Sequence, residues 1–286
     1  MDKIVLKAYG KINLSLDVIR RRPDGYHDVK MIMQTVNVYD TLTMAKREDE
    51  SISIETDLPG LTCGEDNLVY KAIKLIKDAY SINEGVEVYL EKNIPMAAGM
   101  AGGSSDCAAA LKGMNILFDL NLSDKELMEY GVKLGADVPY CIMGGTALSE
   151  GIGEILTPVN HLKGVKVVIA TPNVSVSTPW AYKSLVLDEK TVHPNTEIML
   201  EAVANNDIDK LAKNAYNVLE TVVAKEYKEI GALEETMCEK GALGSIMSGS
   251  GPTVFGIFDD EEKAESACKE IKEKNHCRCC YLTEFI

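Results

Sequence analysis

The sequence contains no apolar run approaching the roughly 20 residues that cross a bilayer, no internal repeat and no low-complexity tract. A membrane span, a solenoid and a disordered polar segment are therefore not expected. An excess of positive charge is also missing. Lys plus Arg total 30 against 44 Asp plus Glu, a formal charge of −14. Such a chain repels a phosphate backbone at long range, so no nucleic-acid partner is expected. Any phosphorylated ligand must be met by a local field from backbone N–H groups and a few cations. No secretory leader is expected, because Lys7 interrupts the short apolar run after Met1-Asp2-Lys3. The eight cysteines have no secreted-domain framework and read as reduced thiols of a cytoplasmic protein. Cys277-Arg278-Cys279-Cys280, with His276 beside it, lacks a second ligand pair at a zinc spacing. Strand alternation puts Cys277 and Cys279 on one face and Cys280 on the other, so no metal site is expected there.

The rest is ordinary for a folded protein: 46% apolar and 26% charged residues over 286 positions, enough for a substantial core. Short Val- and Ile-rich runs at 4–8, 12–19, 29–38, 41–45 and 51–55 predict strands. Leu68, Ala72, Leu75, Ile76 and Ala79 fall on one face of a helix over 68–79. A clean alternating strand follows at 86–90, then a glycine loop and an Ala-rich helix to about Phe118. Ser123-Asp124-Lys125-Glu126 is a capping-box pattern that opens another helix, to about Leu134. Later come a continuous apolar strand at 165–170 and helices near 180–185, 197–203 and 226–237. A strand, a Ser-Gly-Ser-Gly turn, a strand at 253–258, a polar helix at 260–274 and a last strand close the chain.

Pro95-Met96-Ala97-Ala98-Gly99-Met100-Ala101-Gly102-Gly103-Ser104-Ser105-Asp106 is the most informative segment. It follows a strand and feeds a helix. Its glycines let backbone approach a ligand, and the helix start offers N–H groups and a positive dipole end to an anion. It is not a P-loop, since no Gly-Lys-Ser/Thr follows, nor is it spaced as the dinucleotide fingerprint. Read alone, it is equally a tight strand-to-helix turn. Lys11 and Asn13 share one strand face between apolar Ile12 and Leu14. That pattern marks either an exposed face or a site.

Three ordered motifs resolve these ambiguities. Lys11-Ile12-Asn13-Leu14 with Asp24-Gly25-Tyr26-His27, the glycine loop, and Ser248-Gly249-Ser250-Gly251 together resemble the galactokinase/homoserine kinase/mevalonate kinase (GHMP) superfamily of small-molecule kinases. The first motif, Leu134-Gly135-Ala136-Asp137-Val138-Pro139, Asp66-Asn67-Leu68 and Thr178-Pro179-Trp180-Ala181-Tyr182 are similar to the branch that phosphorylates 4-diphosphocytidyl-2-C-methyl-D-erythritol on the route to isoprenoid precursors. The resemblance spans nearly the whole chain.

It implies an α+β fold in two lobes: a ribosomal-protein-S5-like lobe over 1–158 and a ferredoxin-like lobe over 159–286. It also implies ATP with Mg²⁺ as co-substrate, no dedicated metal cage, no membrane or nucleic-acid partner, and a monomer or homodimer. Asp137 becomes the candidate base and Lys11 the cation that steadies the transferring charge. Residues 95–105 and Asn67 become ATP contacts. Asn13, Tyr26, His27, Thr178, Tyr182, Gly249 and Gly251 become substrate contacts, with Tyr26, His27 and Tyr182 at the cytosine. Ala97 and Ala98 stand where some members carry glycine, and Met100 where leucine is usual. Alanine takes φ > 0 only at a cost, so Gly99, Gly102 and Gly103 are expected to make the sharp turns. The rival readings are another kinase of the superfamily, which Asp-Gly-Tyr-His argues against, and a non-catalytic nucleotide sensor, which has no need of the Lys11 and Asp137 combination.

Overall fold

The computed structural model describes residues 2–274 and 277–286; His276, set beside the cysteines above, lies outside them. Two compact units make up the chain, each from several stretches. Met1–Gly10, Val38–Met96 and Ala101–Gly144 form the first; Lys11–Asn37, Ala97–Met100 and Gly145–Ile286 form the second. The interleaving arises because strands β1 (Lys3–Arg21) and β2 (His27–Arg47) each run through both units. The five short strands expected at the start are thus two long ones followed by β3 (Ile52–Thr56).

In the first unit, α1 (Leu68–Tyr80) leads to β4 (Gly85–Glu91), which pairs antiparallel with Thr41–Arg47 of β2 and parallel with β3. Helix α2 (Gly102–Leu117) follows, then α3 (Asp124–Gly131) and α4 (Val138–Met143). The expected capping box is present: Ser123 accepts from the Glu126 N–H, and Glu126 accepts from the Ser123 N–H. Val69, Ala72, Ile73 and Ile76 of α1 pack with Leu42, Met44 and Val88 in one core. Small residues bring α2 close to the sheet. A Cβ on Gly113 would lie 2.2 Å from the Met44 sulfur.

In the second unit, β5 (Thr146–Glu150) pairs antiparallel with Met31–Gln34 of β2 and with β6 (Ile155–Pro158). Then come β7 (Lys166–Pro172), α5 (Thr178–Ser184), α6 (Thr196–Ala204) and α7 (Ile208–Asn214). The two-residue strand β8 (Tyr216–Asn217) pairs parallel with Ser15–Leu16 of β1. Helices α8 (Glu220–Glu226) and α9 (Lys228–Glu239) precede β9 (Gly244–Met247), β10 (Val254–Phe258), α10 (Glu261–Glu273) and β11 (Cys277–Glu284). The sheet order is β11-β7-β10-β9, antiparallel throughout. That order, with α10 crossing between β10 and β11, is a ferredoxin-like layer. No helix among the described residues is long and apolar enough to cross a membrane.

Candidate active site

From Lys11 to Val18, β1 is buried on both faces. Ile12, Leu14, Leu16 and Val18 supply one, and Lys11, Asn13, Ser15 and Asp17 the other. The polar pair at 11 and 13 is therefore not a solvated strand face. Lys11 Nζ donates to Asn13 Oδ1 at 2.7 Å, and Asn13 Nδ2 donates to the Met31 sulfur at 3.3 Å. A buried ammonium and amide demand such partners, because desolvating them unpaired is expensive. Sequence reasoning stopped at Asn13, yet the same alternation continues through Ser15 to Asp17, whose carboxylate meets His193 Nδ1 at 2.6 Å.

Three backbone segments of the second unit converge on Ser248. Its hydroxyl accepts the Asn13 N–H at 3.2 Å and donates to the Gly99 carbonyl at 3.1 Å. The Lys11 N–H reaches the Met100 carbonyl at 3.1 Å. Approach is so close that a Cβ on Gly99 would sit 2.2 Å from the Ser248 carbonyl oxygen, and one on Gly249 3.2 Å from the Gly99 oxygen. Gly249 and Gly251 make the turn from β9 to β10 at φ 61° and 82°. Asn217, buried on β8, donates to the carbonyls of Met247 and Gly249, both at 2.8 Å, and accepts the Leu219 N–H at 3.0 Å. Ser248 falls within the Ser-Gly-Ser-Gly motif but, like Asn217, has no expected role of its own. Leu219 apart, their side-chain partners lie 30 to 235 positions away, beyond any local pattern.

The glycine loop departs from expectation. Left-handed backbone occurs at Ala97 (φ 50°), Gly99 (φ 74°) and Ala101 (φ 56°), whereas Gly102 and Gly103 open α2 with helical geometry. Alanine bears the strain because Ala98 and Met100 are buried on either side of Gly99, fixing the path between. Gly102 is needed for room instead: its Cβ would lie 3.0 Å from Ile94 Cγ2. No side chain caps α2, since Ala101 stands at its N-cap. Pro95 and exposed Met96 lead in, and Ser104 is half-buried on the first turn. Ser105 turns inward and donates its hydroxyl to the Tyr9 carbonyl.

Behind that turn lies a buried charge cluster. Lys92 pairs with Asp40, and with Asp106 at 2.6 Å. Asp40 also accepts the N–H groups of Asn93 and Ile94, at 2.5 and 2.7 Å. One oxygen of Asp106 is buried without a partner. Burial works against the Lys92 charge, yet the facing carboxylates of Asp106 and Asp40 hold its pKa above the usual value. One ammonium does not satisfy two carboxylates, and Asp40 has the better partners. Burial, only partly offset by Lys92, therefore pushes Asp106 up to about 7. A carboxyl raised on folding contributes stability that is complete below its unfolded value, about 3.9, and lost as pH rises through its folded one. The contribution of Asp106 should thus fall between about pH 4 and pH 7, by up to about 1.4 kcal/mol per pH unit. Asp106→Asn should flatten that slope in denaturant titrations at pH 5 and pH 8. An unchanged slope would place the proton elsewhere.

His27 and Tyr182 form a ring pair, with centroids 5.0 Å apart and planes tilted 32°. Burial, then the Arg21 charge, lowers the His27 pKa, favouring the neutral imidazole. Tyr26 is 61% exposed on the turn joining β1 to β2. Thr178, at the start of α5, shares a 2.7 Å hydroxyl–hydroxyl bond with Ser250. In the first unit, Asn67 is occupied as the N-cap of α1: Oδ1 accepts from Val69 at 2.8 Å and Nδ2 donates to the Thr62 carbonyl at 2.7 Å. Asp137 is the N-cap residue of α4, but its carboxylate does not cap that helix.

A ferredoxin-like layer, an uncapped helix after a glycine loop, and a Ser-Gly-Ser-Gly turn held against it define the GHMP kinases. The family model for the GHMP kinase N-terminal domain matches residues 67–145, and that for the C-terminal domain matches 199–277. The 4-diphosphocytidyl-2-C-methyl-D-erythritol kinase of Lachnoclostridium phytofermentans is 51% identical over 285 residues, covering 100% of this chain and 98% of the relative. That of Acetivibrio thermocellus is 48% identical, with both chains fully covered. A crystal structure of a 4-(cytidine 5'-diphospho)-2C-methyl-D-erythritol kinase superposes with a TM-score of 0.83 at 30% identity over 99% of each chain. Homoserine kinase from Cytophaga hutchinsonii shares the fold, with a TM-score of 0.81 at 19% identity over 99% of this chain and 95% of that one. The chain belongs to the 4-diphosphocytidyl-2-C-methyl-D-erythritol kinase family and is a kinase.

Proposed function

We propose that this kinase transfers the γ-phosphoryl group of ATP to the 2-hydroxyl of 4-diphosphocytidyl-2-C-methyl-D-erythritol. The His27–Tyr182 ring pair carries the substrate reading, because a cytosine needs an aromatic face and a polar edge. Neutral His27 offers one ring nitrogen as donor and one as acceptor to that edge. Thr178 and the glycine backbone at 249 and 251 supply neighbouring polar contacts, and Tyr26 closes over the base from the β1–β2 turn.

Phosphoryl transfer asks for positioning and charge neutralisation rather than covalent chemistry. The loop 95–105 offers the polyphosphate backbone N–H groups and the positive end of α2, left open by the absence of a capping side chain. Asp137 accepts the proton of the attacking hydroxyl. Lys11, held by Asn13, steadies the charge on the transferring group. Mg²⁺ bound with ATP would supply neutralisation of phosphate charge, and since it commonly keeps water and phosphate oxygens as ligands, the Ser104 hydroxyl on the first turn of α2 would be the protein group to help hold it. Asn67 contributes to the adenine side chiefly by fixing the start of α1.

ADP release from Mg·ATP tests this reading, with the cytidylylated substrate beside mevalonate, homoserine and galactose. Turnover with the first alone is expected. Turnover with a control would keep the kinase and overturn the cytosine slot. Tyr182→Ala should raise KM for the cytidylylated substrate about tenfold, the scale of one lost base–aromatic stack, with kcat little changed. An unchanged KM would remove Tyr182 from the slot.

A further inference from the structure

The three thiols of Cys268, Cys277 and Cys280 converge at the end of the ferredoxin-like layer. Strict alternation would keep Cys277 and Cys280 on opposite faces of β11. A β-bulge between Cys277 and Cys279 breaks that alternation. Cys277 lies opposite Pro172 and Cys280 opposite Ala170, two positions along β7, so the two share one face. Cys280 also donates to the sulfur of Cys268, across 3.4 Å. Cys268 comes from the buried face of α10, together with Ala264, Ala267 and Ile271. Cys268 and Cys280 are buried, whereas Cys277 is half-exposed.

We propose that these residues form a three-thiol redox site, in which a hydroperoxide enters at Cys277 and the oxidation ends as a buried Cys268–Cys280 disulfide. The Cys277 thiolate attacks the terminal peroxide oxygen. The O–O bond breaks, an alcohol or water leaves, and Cys277 becomes a sulfenic acid. The Cys280 thiol then attacks the Cys277 sulfur, gives up its proton, and expels the hydroxyl group as water. Cys268, as thiolate, next attacks the Cys280 sulfur and releases Cys277 as thiolate. In sum, two thiols give two electrons and two protons to the peroxide, and Cys277 is regenerated.

The local charges suit these roles. The hydrogen bond from Cys280 lowers the Cys268 thiol to about 6, with help from Lys272 one turn on. The same partner lowers Cys277, while Cys280, which serves both, is raised. Lowered thiols supply the thiolates that attack, Cys277 on the peroxide and Cys268 on the Cys277–Cys280 bond, while Cys280 loses its proton in its own attack to the hydroxyl group that leaves as water. The 3.4 Å separation leaves about 1.4 Å of sulfur movement before a bond of about 2.05 Å forms. No other ring, base or phosphate-binding group of the proposed kinase chemistry belongs to this cluster.

The test uses the reduced full-length protein, equimolar hydrogen peroxide, alkylation and non-reducing peptide mapping. The expected product is a Cys268–Cys280 linked peptide, with two thiols lost from the eight of the sequence and restored by dithiothreitol. Cys277→Ser should slow linkage at least tenfold and leave turnover unchanged. Cys280→Ala should instead accumulate a dimedone-reactive sulfenic acid on Cys277. Sulfinic or sulfonic acid without any cross-link in the wild-type protein would overturn the site. Equally fast linkage in Cys277→Ser, or a Cys277–Cys280 end product, would overturn the relay. The wild-type map decides the outcome even where a variant folds poorly.

Discussion

Asp137→Asn should lower kcat by about 10²- to 10⁴-fold, the usual scale of a lost general base, while ATP and substrate still bind within a few-fold. The substitution keeps the shape and removes the proton acceptor. Pro139 and the backbone bond from Cys141 N–H to the Asp137 carbonyl at 3.1 Å set the entry of α4, and both survive the substitution. Thermal unfolding of the variant is the control: a midpoint within a few degrees of the parent assigns the loss to the chemistry. Equilibrium dialysis with a non-hydrolysable ATP analogue separates binding from turnover. Near-normal turnover would reduce Asp137 to a turn residue. Loss of both binding and turnover would make it a structural one.

Gly99→Ala should be the most damaging single methyl in the loop. The new Cβ would meet the Ser248 carbonyl oxygen at 2.2 Å, and the backbone there sits at φ 74°. Left-handed geometry alone costs an L-residue about 1–2 kcal/mol. The clash is with main chain, which does not rotate away as a side chain would. Loop and turn must therefore part, and the bond from Ser248 Oγ to the Gly99 carbonyl goes with them. Displacement of about 1 Å at a reacting site costs on the order of 10²-fold in rate. Gly103→Ala is the matched comparison. Its Cβ would meet only Leu68 Cδ1, at an ordinary 3.7 Å, within helical backbone. Helix propensity then gains up to about 1 kcal/mol, so this variant should fold at least as well as the parent. A raised KM for ATP in stable Gly103→Ala would show that the space over Gly103 belongs to the nucleotide. Equal stability and activity in both variants would mean that neither close approach matters.

What the sequence disclosed and what it withheld follow from the range of each interaction. The alternation of Lys11 and Asn13 is local and legible, although telling a buried face from a solvated one required β8 and β2 alongside. The capping box at Ser123 is local and appears as written; Asn67, expected as an ATP contact, is an equally local N-cap. Ser248 and Asn217 act on backbone atoms far away in sequence, and no spacing advertises a carbonyl. Strand β8 has two residues, and β5 and β6 are short polar-flanked runs without clear periodicity. Helix α7 is a seven-residue element between turns, below the length at which a face repeats. The 1–158 and 159–286 expectation divides the chain into consecutive lengths, whereas the compact units interleave through β1 and β2. At the cysteines, alternation was the right rule for a regular strand, and the bulge set it aside.

Left-handed Ala97 and Ala101 have a thermodynamic consequence for how the loop meets its guest. Glycine at either place would wander over both signs of φ, and the ligand would have to freeze that wandering. Alanine has only a small left-handed basin, so once folding has forced it there it samples little else. The strain is carried permanently by the empty protein, and the ordering step largely disappears from binding. Calorimetry should then find nucleotide binding with a smaller entropic penalty than in Ala97→Gly or Ala101→Gly, at similar contact enthalpy. Stiffness in this loop thus resides in the methyl groups of Ala97 and Ala101.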